Sequence, residues 1–512
     1  MLSSMSRMDE VERQRLLDEI ARRDQRIVLL EQKIDALVRR IFGVRSESLD
    51  PAQLELLLDP DALKKAPAAE PADPGPAAEE RRDTRGRQPR QPRIPDHLPV
   101  EEQVLDPEAV LADPAAFRRI GEETREQLDY RPGRFLRRRL VRPKYVRIGD
   151  PLAKPVIAPL PPSLQERCNA TPALIAEVVA ARFADHQPYY RQSELFARQG
   201  VSLHRKTLCD WSLLAADWLS AIHREIHKEH RQSPYLQIDE TPVRYLDPGG
   251  GKTRNGYLWT SSIPRGSVYY HWQPGRDQSG ITHLLGGDDA LARVIQCDGF
   301  SAYPSWARGK PHVTLMGCHA HVRRKFFEAR DQSPRLVAWI LRQLGHLYQI
   351  ERRLRDAKAA PVLREAARVS QSAAIHARLR KLFDRLLQRR SILPQSLLGK
   401  AVRYALHQWD HLTVYLTDGR VEIDNNLVEN AIRPTKLGAK NWLFIGREDA
   451  GWKSAVLYTV VENCRRLGID PRAYLTDVLT RLPTLKTLAD AVTLTPANWL
   501  RESEGSQRKQ AA

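Results

Sequence analysis

The stretch SPYLQIDETPVRYL, Ser233–Leu246, decides the fold class when it is read with NGYLWTSSIP (Asn255–Pro264) and RGSVYYHWQP (Arg265–Pro274). Apolar and polar residues alternate in each piece, and the Gly249–Gly251 run supplies a turn, so the three form an antiparallel meander. GRDQSGITHLL (Gly275–Leu285) then reads as a helix. ARVIQCDGFSAYPSW (Ala292–Trp306) carries a buried apolar run that ends at Asp298-Gly299. A short strand at His312–Met316 and a helix around His321–Arg330 complete an order of three strands, helix, strand, helix, strand, helix. This is an α/β class with a mixed sheet. Asp239 in mid-strand and Asp298 at a strand end are costly places for a carboxylate unless something compensates the charge. An arginine partner for Asp239 or an Asp-Gly turn at Asp298 would explain either one structurally.

Further along lies VEIDNNLVENAIRPTKLGAKNWLFIG, Val421–Gly446. Asp424 is placed to cap a helix, and Pro434 is expected to end it, which makes the helix short. Leu427, Val428, Ala431 and Ile432 form its apolar side, and Asn426, Glu429, Asn430 and Arg433 share the other. Taken alone, Glu429 reads as a capping or salt-bridging group. One carboxylate on the first strand, one at the end of the fourth and one on a later helix would, however, place three acids at one edge of the sheet. Such a trio can hold two divalent ions about 4 Å apart, with Mg²⁺ suited to hard oxygen ligands and Mn²⁺ as its substitute.

The 512 residues have a formal net charge of +18, which favours a polyanionic partner, nucleic acid above all. No apolar run is long enough to span a bilayer, and no signal peptide opens the chain, so a cytoplasmic, nucleoid-associated location is expected. The five cysteines form no C-x-x-C pair. Ile20, Ile27, Leu30, Ile34, Leu37 and Ile41 follow a heptad pattern; a homodimeric coiled coil or packing on the chain's own domain would bury that seam. Residues 65–93, rich in Pro, Ala and charge, read as a tether. In the next segment, Arg134, Arg137, Arg138, Arg139, Arg142 and Lys144 interleave with Tyr130, Phe135 and Tyr145, either as a phosphate-binding face or as a charged edge strand. Gln192–Gln199, a turn at Gly200-Val201-Ser202 and His204–Leu213 have the form of a helix-turn-helix, with His204, Arg205 and Lys206 opening the second helix; an ordinary helical hairpin has the same pattern. The tail SEGSQRKQAA is expected to be disordered.

QIDETPV, CDGFSAYPSW, CHAHVRRKF and above all IDNNLVENAIRPTKLGAKNWLFIG resemble the transposases of the IS66 type, over most of the chain. The resemblance implies a ribonuclease H-like catalytic domain with a large helical insertion and a DDE triad of Asp239, Asp298 and Glu429 as catalytic and metal-binding residues. The activity implied is metal-dependent cleavage at the ends of a mobile element, then transfer of the freed 3′-hydroxyl into target DNA. A same-fold nuclease without strand transfer and a catalytically inactive DNA-binding regulator are the alternatives. The partners implied are DNA, as terminal repeats and target, a second or further copy of the chain, and small helper proteins. The expected segments are a coiled coil over 1–50, a linker over 51–93, a basic module over 94–160, a helical region over 161–230, the first part of the core over 231–330, the helical insertion over 331–420, the rest of the core over 421–486 and a tail over 487–512.

Arg323, Arg324, Arg433, Lys436 and Lys440 are expected on the DNA backbone near the triad, with Trp442 stacked on an unpaired base; Leu443 and Phe444 are expected in a core strand. Arg137, Arg138, Arg139, Arg205 and Lys206 are expected to touch DNA elsewhere. One departure stands out. Relatives of this type carry a zinc finger on paired cysteines in the basic module, whereas here Arg118-Arg119-Ile120 precedes GEETREQLDY and Val146-Arg147 follows Lys144-Tyr145, so no zinc is expected. A site from Cys318, His319 and His321 is cramped and lacks a fourth ligand.

Overall fold

The computed structural model describes residues 133–145, 156–247, 253–286 and 291–511. The expected coiled coil, the tether and the part of the basic module before Gly133 lie outside them. Five strands, β1 (Tyr235–Leu246), β2 (Thr253–Ser262), β3 (Val268–Gln273), β4 (Arg293–Gln296) and β5 (Val313–Met316), form one sheet in the order β3-β2-β1-β4-β5. β1, β2 and β3 are antiparallel, and β4 and β5 run parallel to β1, so the sheet is mixed. Helices α1 (Pro172–Phe183), α2 (Tyr189–Arg198) and α3 (Arg205–Gln232) precede the sheet, and α4 (Gln278–Leu285), α5 (Ala302–Ala307) and α6 (His319–Glu328) alternate with its last strands. The element order is the one the alternating pattern implies.

Next come α7 (Pro334–Asp356), α8 (Pro361–Ala367), a π-helical turn at Arg368–Ser372, α9 (Ala373–Leu387), α10 (Leu397–His407) and α11 (Trp409–Thr413). The apolar faces of α7, α9, α10 and α11 share a core with Tyr235, Val294 and Met316 of the sheet and with Val421 and Ile423. α12 (Asn426–Trp442), α13 (Ala450–Arg466), α14 (Pro471–Arg481) and α15 (Pro496–Ala511) follow. Among the described residues no helix is long and apolar enough to cross a membrane.

α13 is apolar on nearly all sides, with Ala455, Val456, Leu457, Tyr458, Val460 and Val461 all buried, as expected of a central helix. It also protects the outer edge of β3. Asn463 accepts from the Val268 N–H at 3.0 Å and donates to the Val268 carbonyl at 2.7 Å, and Thr459 Oγ1 accepts from the Tyr270 N–H at 3.0 Å. These bonds occupy groups that would otherwise invite another strand. The Trp272 ring lies between Gly256 and Gly451, where a Cβ would come within 2.1 Å and 2.2 Å of it. Only glycine leaves room for an indole at both places.

Histidines join α3, β3 and α4. The His271 and His283 rings stack at 3.5 Å between centroids, and His227 stacks on His283 at 4.9 Å. His230 meets Ser261 Oγ at 2.8 Å and Ser267 Oγ at 3.0 Å. Burial lowers His230 to about 3 and His271 to about 2. Both therefore stay neutral when folded, while the unfolded chain takes up protons below about pH 6.5. Stability is intact above that value and is lost as pH falls from there toward the folded values. For His230 alone the loss is about 1.4 kcal/mol per pH unit. Melting curves from pH 7 to pH 5 should show this decline, and His230→Asn should flatten it; an unchanged slope in the variant would remove His230 from the account.

Four expectations need correction. α12 does not stop before Pro434 but runs through it to Trp442; Asn425 holds the cap position, while the Asp424 carboxylate, as expected, accepts a first-turn N–H, that of Asn426, at 3.1 Å. The proline removes one N–H from the ladder. The helix tolerates this because the carbonyl left without that donor belongs to exposed Asn430, while the Tyr270 hydroxyl donates to the adjacent Ala431 carbonyl at 2.5 Å. Leu443 is not in a core strand: it is 66% exposed with φ of 64°, the left-handed turn that closes α12. The helix opened by Arg205 extends to Gln232 rather than Leu213, because its buried face continues through Ala215, Leu219, Ile222 and Ile226. The tail is helical to Ala511, anchored where Trp499 Nε1 donates to Asp477 at 2.8 Å and Arg481 pairs with Glu502 at 3.1 Å.

Candidate active site

Two glutamines set the geometry. Gln237 on β1 and Gln296 on β4 are register partners, and Gln237 Nε2 donates to Gln296 Oε1 at 2.9 Å. Asp239 stands two positions further along β1, on the glutamine face by the period of two, and Asp298 stands two positions past Gln296, just beyond the end of β4. The same glutamines strap down the approach to α12. Gln237 donates to the Asp424 carbonyl at 2.8 Å and accepts from the Val428 N–H at 3.3 Å, and Gln296 donates to the Glu422 carbonyl at 3.1 Å. Tyr235 adds a hydroxyl that donates to Gln296 Oε1 at 2.6 Å and accepts from the Glu422 N–H at 3.0 Å. Glu429 follows Val428 by one residue, on the first turn of α12. Beyond α12 the chain returns to β1, where the Ile445 N–H donates to the Arg244 carbonyl at 3.0 Å.

The three predicted carboxylates, Asp239 inside β1, Asp298 just past β4 and Glu429 on α12, are near enough for the other two to act on Asp239, but their oxygens are not gathered within 4.8 Å of one another. Burial, then the charges of Glu240, Asp298 and Glu429, push Asp239 up to about 8. Its Oδ1 accepts only the Glu240 N–H, at 2.9 Å, and Asp298 Oδ1 accepts the Phe300 N–H at 2.8 Å. No cation is paired with either aspartate among the described residues.

Sequence reasoning missed Glu240. Arg276 donates to its Oε1 from Nε at 2.8 Å and from a terminal nitrogen at 2.5 Å, and the Tyr303 hydroxyl donates to Oε2 at 2.7 Å. The Arg276 guanidinium lies 3.9 Å from the Phe300 ring centroid. Glu240 thus ties the loop and helix that carry Asp298, Phe300 and Tyr303 to the strand that carries Asp239. The signal was present in the sequence: a second carboxylate in a strand core needs a cation.

Glu429 is half-buried between two groups of α6. His321 Nδ1 stands 3.7 Å from Oε1 and an Arg324 nitrogen 3.7 Å from Oε2. Burial lowers His321, so the first contact is not an ion pair at neutral pH. Cys318, the cap residue of α6, lies beside them; burial pushes its thiol up to about 12. His319 faces elsewhere, its Nδ1 3.0 Å from the Ile423 carbonyl.

Of the expected DNA contacts, Arg323, Arg324, Arg433 and Lys440 are exposed on α6 and α12, the two helices that meet at Glu429. Lys436 is tied down, donating to the Pro242 carbonyl at 2.7 Å. Trp442 is a correction: it is buried, with Gly438 against its indole and the Arg182 guanidinium 5.3 Å from its ring, so no face is open to a base. Arg137, Arg138 and Arg139 are exposed on an extended segment whose Phe135 packs edge-on against Phe196. Arg205 and Lys206 open α3, whose 28 residues span roughly 40 Å before β1 begins, and Lys206 is paired with Asp210 at 2.7 Å. The structure does not gather these five at the carboxylates.

The family described as Transposase IS66 family matches residues 167–453, the IS66 C-terminal element matches 459–497, and a third, described as Transposase C of IS166 homeodomain, matches 29–102. Among relatives, the Sinorhizobium fredii protein described as uncharacterized protein y4jD is 34% identical over 94% of this chain and 96% of its own length. Uncharacterized protein y4hP of the same organism is 30% identical over 93% of this chain and 90% of its own length. With a family match over more than half its length and a relative this similar from end to end, the chain belongs to the IS66 transposase family.

Proposed function

We propose that this chain is a DNA transposase of the DDE type, built on a ribonuclease H-like sheet, that cuts the ends of a mobile element and joins the freed 3′-hydroxyl to target DNA. The observation that carries the reading is that Asp239, inside the central strand, is pushed up to about 8 by burial and by nearby acids that include Asp298 and Glu429. Two aspartates without a paired cation, one of them under the charge of the other and of Glu429, are oxygen donors of the kind a hard divalent ion takes. Asp239, Asp298 and Glu429 would hold Mg²⁺, which when bound activates an oxygen nucleophile and stabilises the leaving oxygen. The protein's own part is positioning. Gln237 and Gln296 fix the level of the acids, Glu240 with Arg276 and Tyr303 fixes the Asp298 loop, and Arg323, Arg324, Arg433 and Lys440 hold the scissile backbone. The strand order β3-β2-β1-β4-β5, with three antiparallel strands and two parallel ones, supports the ribonuclease H-like assignment. The reading extends to an oligomer that pairs two element ends, to small helper proteins, and to action at the nucleoid.

The test is incubation of the purified chain with Mg²⁺ and duplex DNA carrying the element's ends, scoring cleavage and joining separately. Both products are expected. Cleavage without joining would make the protein a nuclease, and binding without either would make it a regulator.

A further inference from the structure

A second set of donors shares Glu429. Cys318 Sγ, a His321 nitrogen and a Glu429 carboxylate oxygen all lie within 4.8 Å of one another, and no other such group of His, Cys, Asp or Glu occurs among the described residues. The spacing Cys-x-x-His at the start of α6 puts both side chains on one helix face, and α12 brings the acid across from them. Two of these donors are buried and without a hydrogen-bond partner: His321 Nδ1 and Glu429 Oε1. They stand 3.7 Å apart, too far for a hydrogen bond and near the ~3.4 Å that separates two ligands at about 2.1 Å on a tetrahedral ion. Cys318 Sγ accepts the Asn425 N–H at 3.5 Å, and Cys318 is the cap residue of α6.

We propose that Cys318, His321 and Glu429 form a three-ligand site for Zn²⁺, distinct in chemistry from the all-oxygen site and linked to it through Glu429. Sulfur and imidazole donors select Zn²⁺ over Mg²⁺, and the thiol proton leaves to solvent as the metal–sulfur bond forms. The fourth position is open to water or a phosphate oxygen. Resting on the transposase reading, the site has a consequence: Zn²⁺ there holds the Glu429 carboxylate toward α6 and so opposes Mg²⁺-dependent cleavage.

The test uses the metal alone on the full chain. Titration of the metal-free protein with Co²⁺ should raise a thiolate-to-cobalt charge-transfer band of one-site amplitude that Zn²⁺ displaces. Cys318→Ser should remove the band, and His321→Gln, which keeps the buried thiol, should weaken Zn²⁺ binding at least tenfold; melting in chelator confirms that each is folded. Absence of the band in the wild-type chain, or wild-type affinity in the folded His321→Gln chain, would overturn the site. Binding as expected in a chain that never cleaves DNA would leave the site standing and remove only the transposase reading.

Discussion

Asp239→Asn should lose DNA cleavage while gaining stability. Losing one of three carboxylates from a metal-dependent centre should slow nicking by about 10³-fold or more, equivalent to roughly 4 kcal/mol of barrier. Binding of end-bearing DNA should persist, because the cationic side chains of α6 and α12 are untouched. The stability change follows from the direction of the Asp239 shift. Its folded value is about 8 against 3.8 for the free side chain, so the native state retains a proton that the unfolded chain releases, and stability falls as pH rises between those values. Asparagine removes that penalty, so the metal-free variant should melt higher than the wild type at neutral pH. Asp298→Asn and Glu429→Gln should share the activity loss. A variant that cleaved at the wild-type rate would remove its residue from the site.

The second large effect lies in the helical insertion. Glu351, 1% exposed, accepts from Arg368 at 2.7 Å and 2.8 Å and from Arg364 at 3.1 Å. Burial alone would raise this carboxyl, but the two guanidiniums hold it below its usual range. Arg368 continues to the carbonyls of Tyr415, Asp418 and Val421 at 2.9 Å each, and Arg364 reaches Glu422. Glu351→Ala would leave two buried guanidiniums facing each other, which should cost about 3–5 kcal/mol. Thermal melting measures that loss directly. Cleavage per folded molecule should fall as well, because the cluster holds the residues that lead into α12. If the folded fraction cleaved at the normal rate, the cluster would support the insertion alone.

The sheet was legible because its alternation is strict and its turns carry Gly and Pro; Asp239 and Asp298 stood out as acids in strands. The rest was hidden for physical reasons. Gln237 and Gln296 look like ordinary strand residues, and their bonds to Asp424 and Glu422 cross 187 and 126 positions of chain. Pro434 obeyed the local rule for ending a helix, but Tyr270, from a distant strand, offers its hydroxyl to the helix carbonyl beside the gap. Trp442, in a run of basic residues, has the composition of a base-stacking platform, and only the fold shows that Gly438 and Arg182 enclose it. Cys318, His319 and His321 are neighbours in sequence, whereas the carboxylate that lies within 4.8 Å of Cys318 and His321 comes from α12.

The two glutamines also bear on the order of events during synthesis. The strands that carry Asp239 and Asp298 are complete once β5 has emerged, but the amide groups beside them find Glu422, Asp424 and Val428 only after the whole insertion has been made. A chain broken or stopped before Glu422 would therefore expose a cationic α6 beside two aspartates and lack the third acid. Contacts of such long separation form late, so a nascent or truncated copy has the two aspartates without Glu429 beside them.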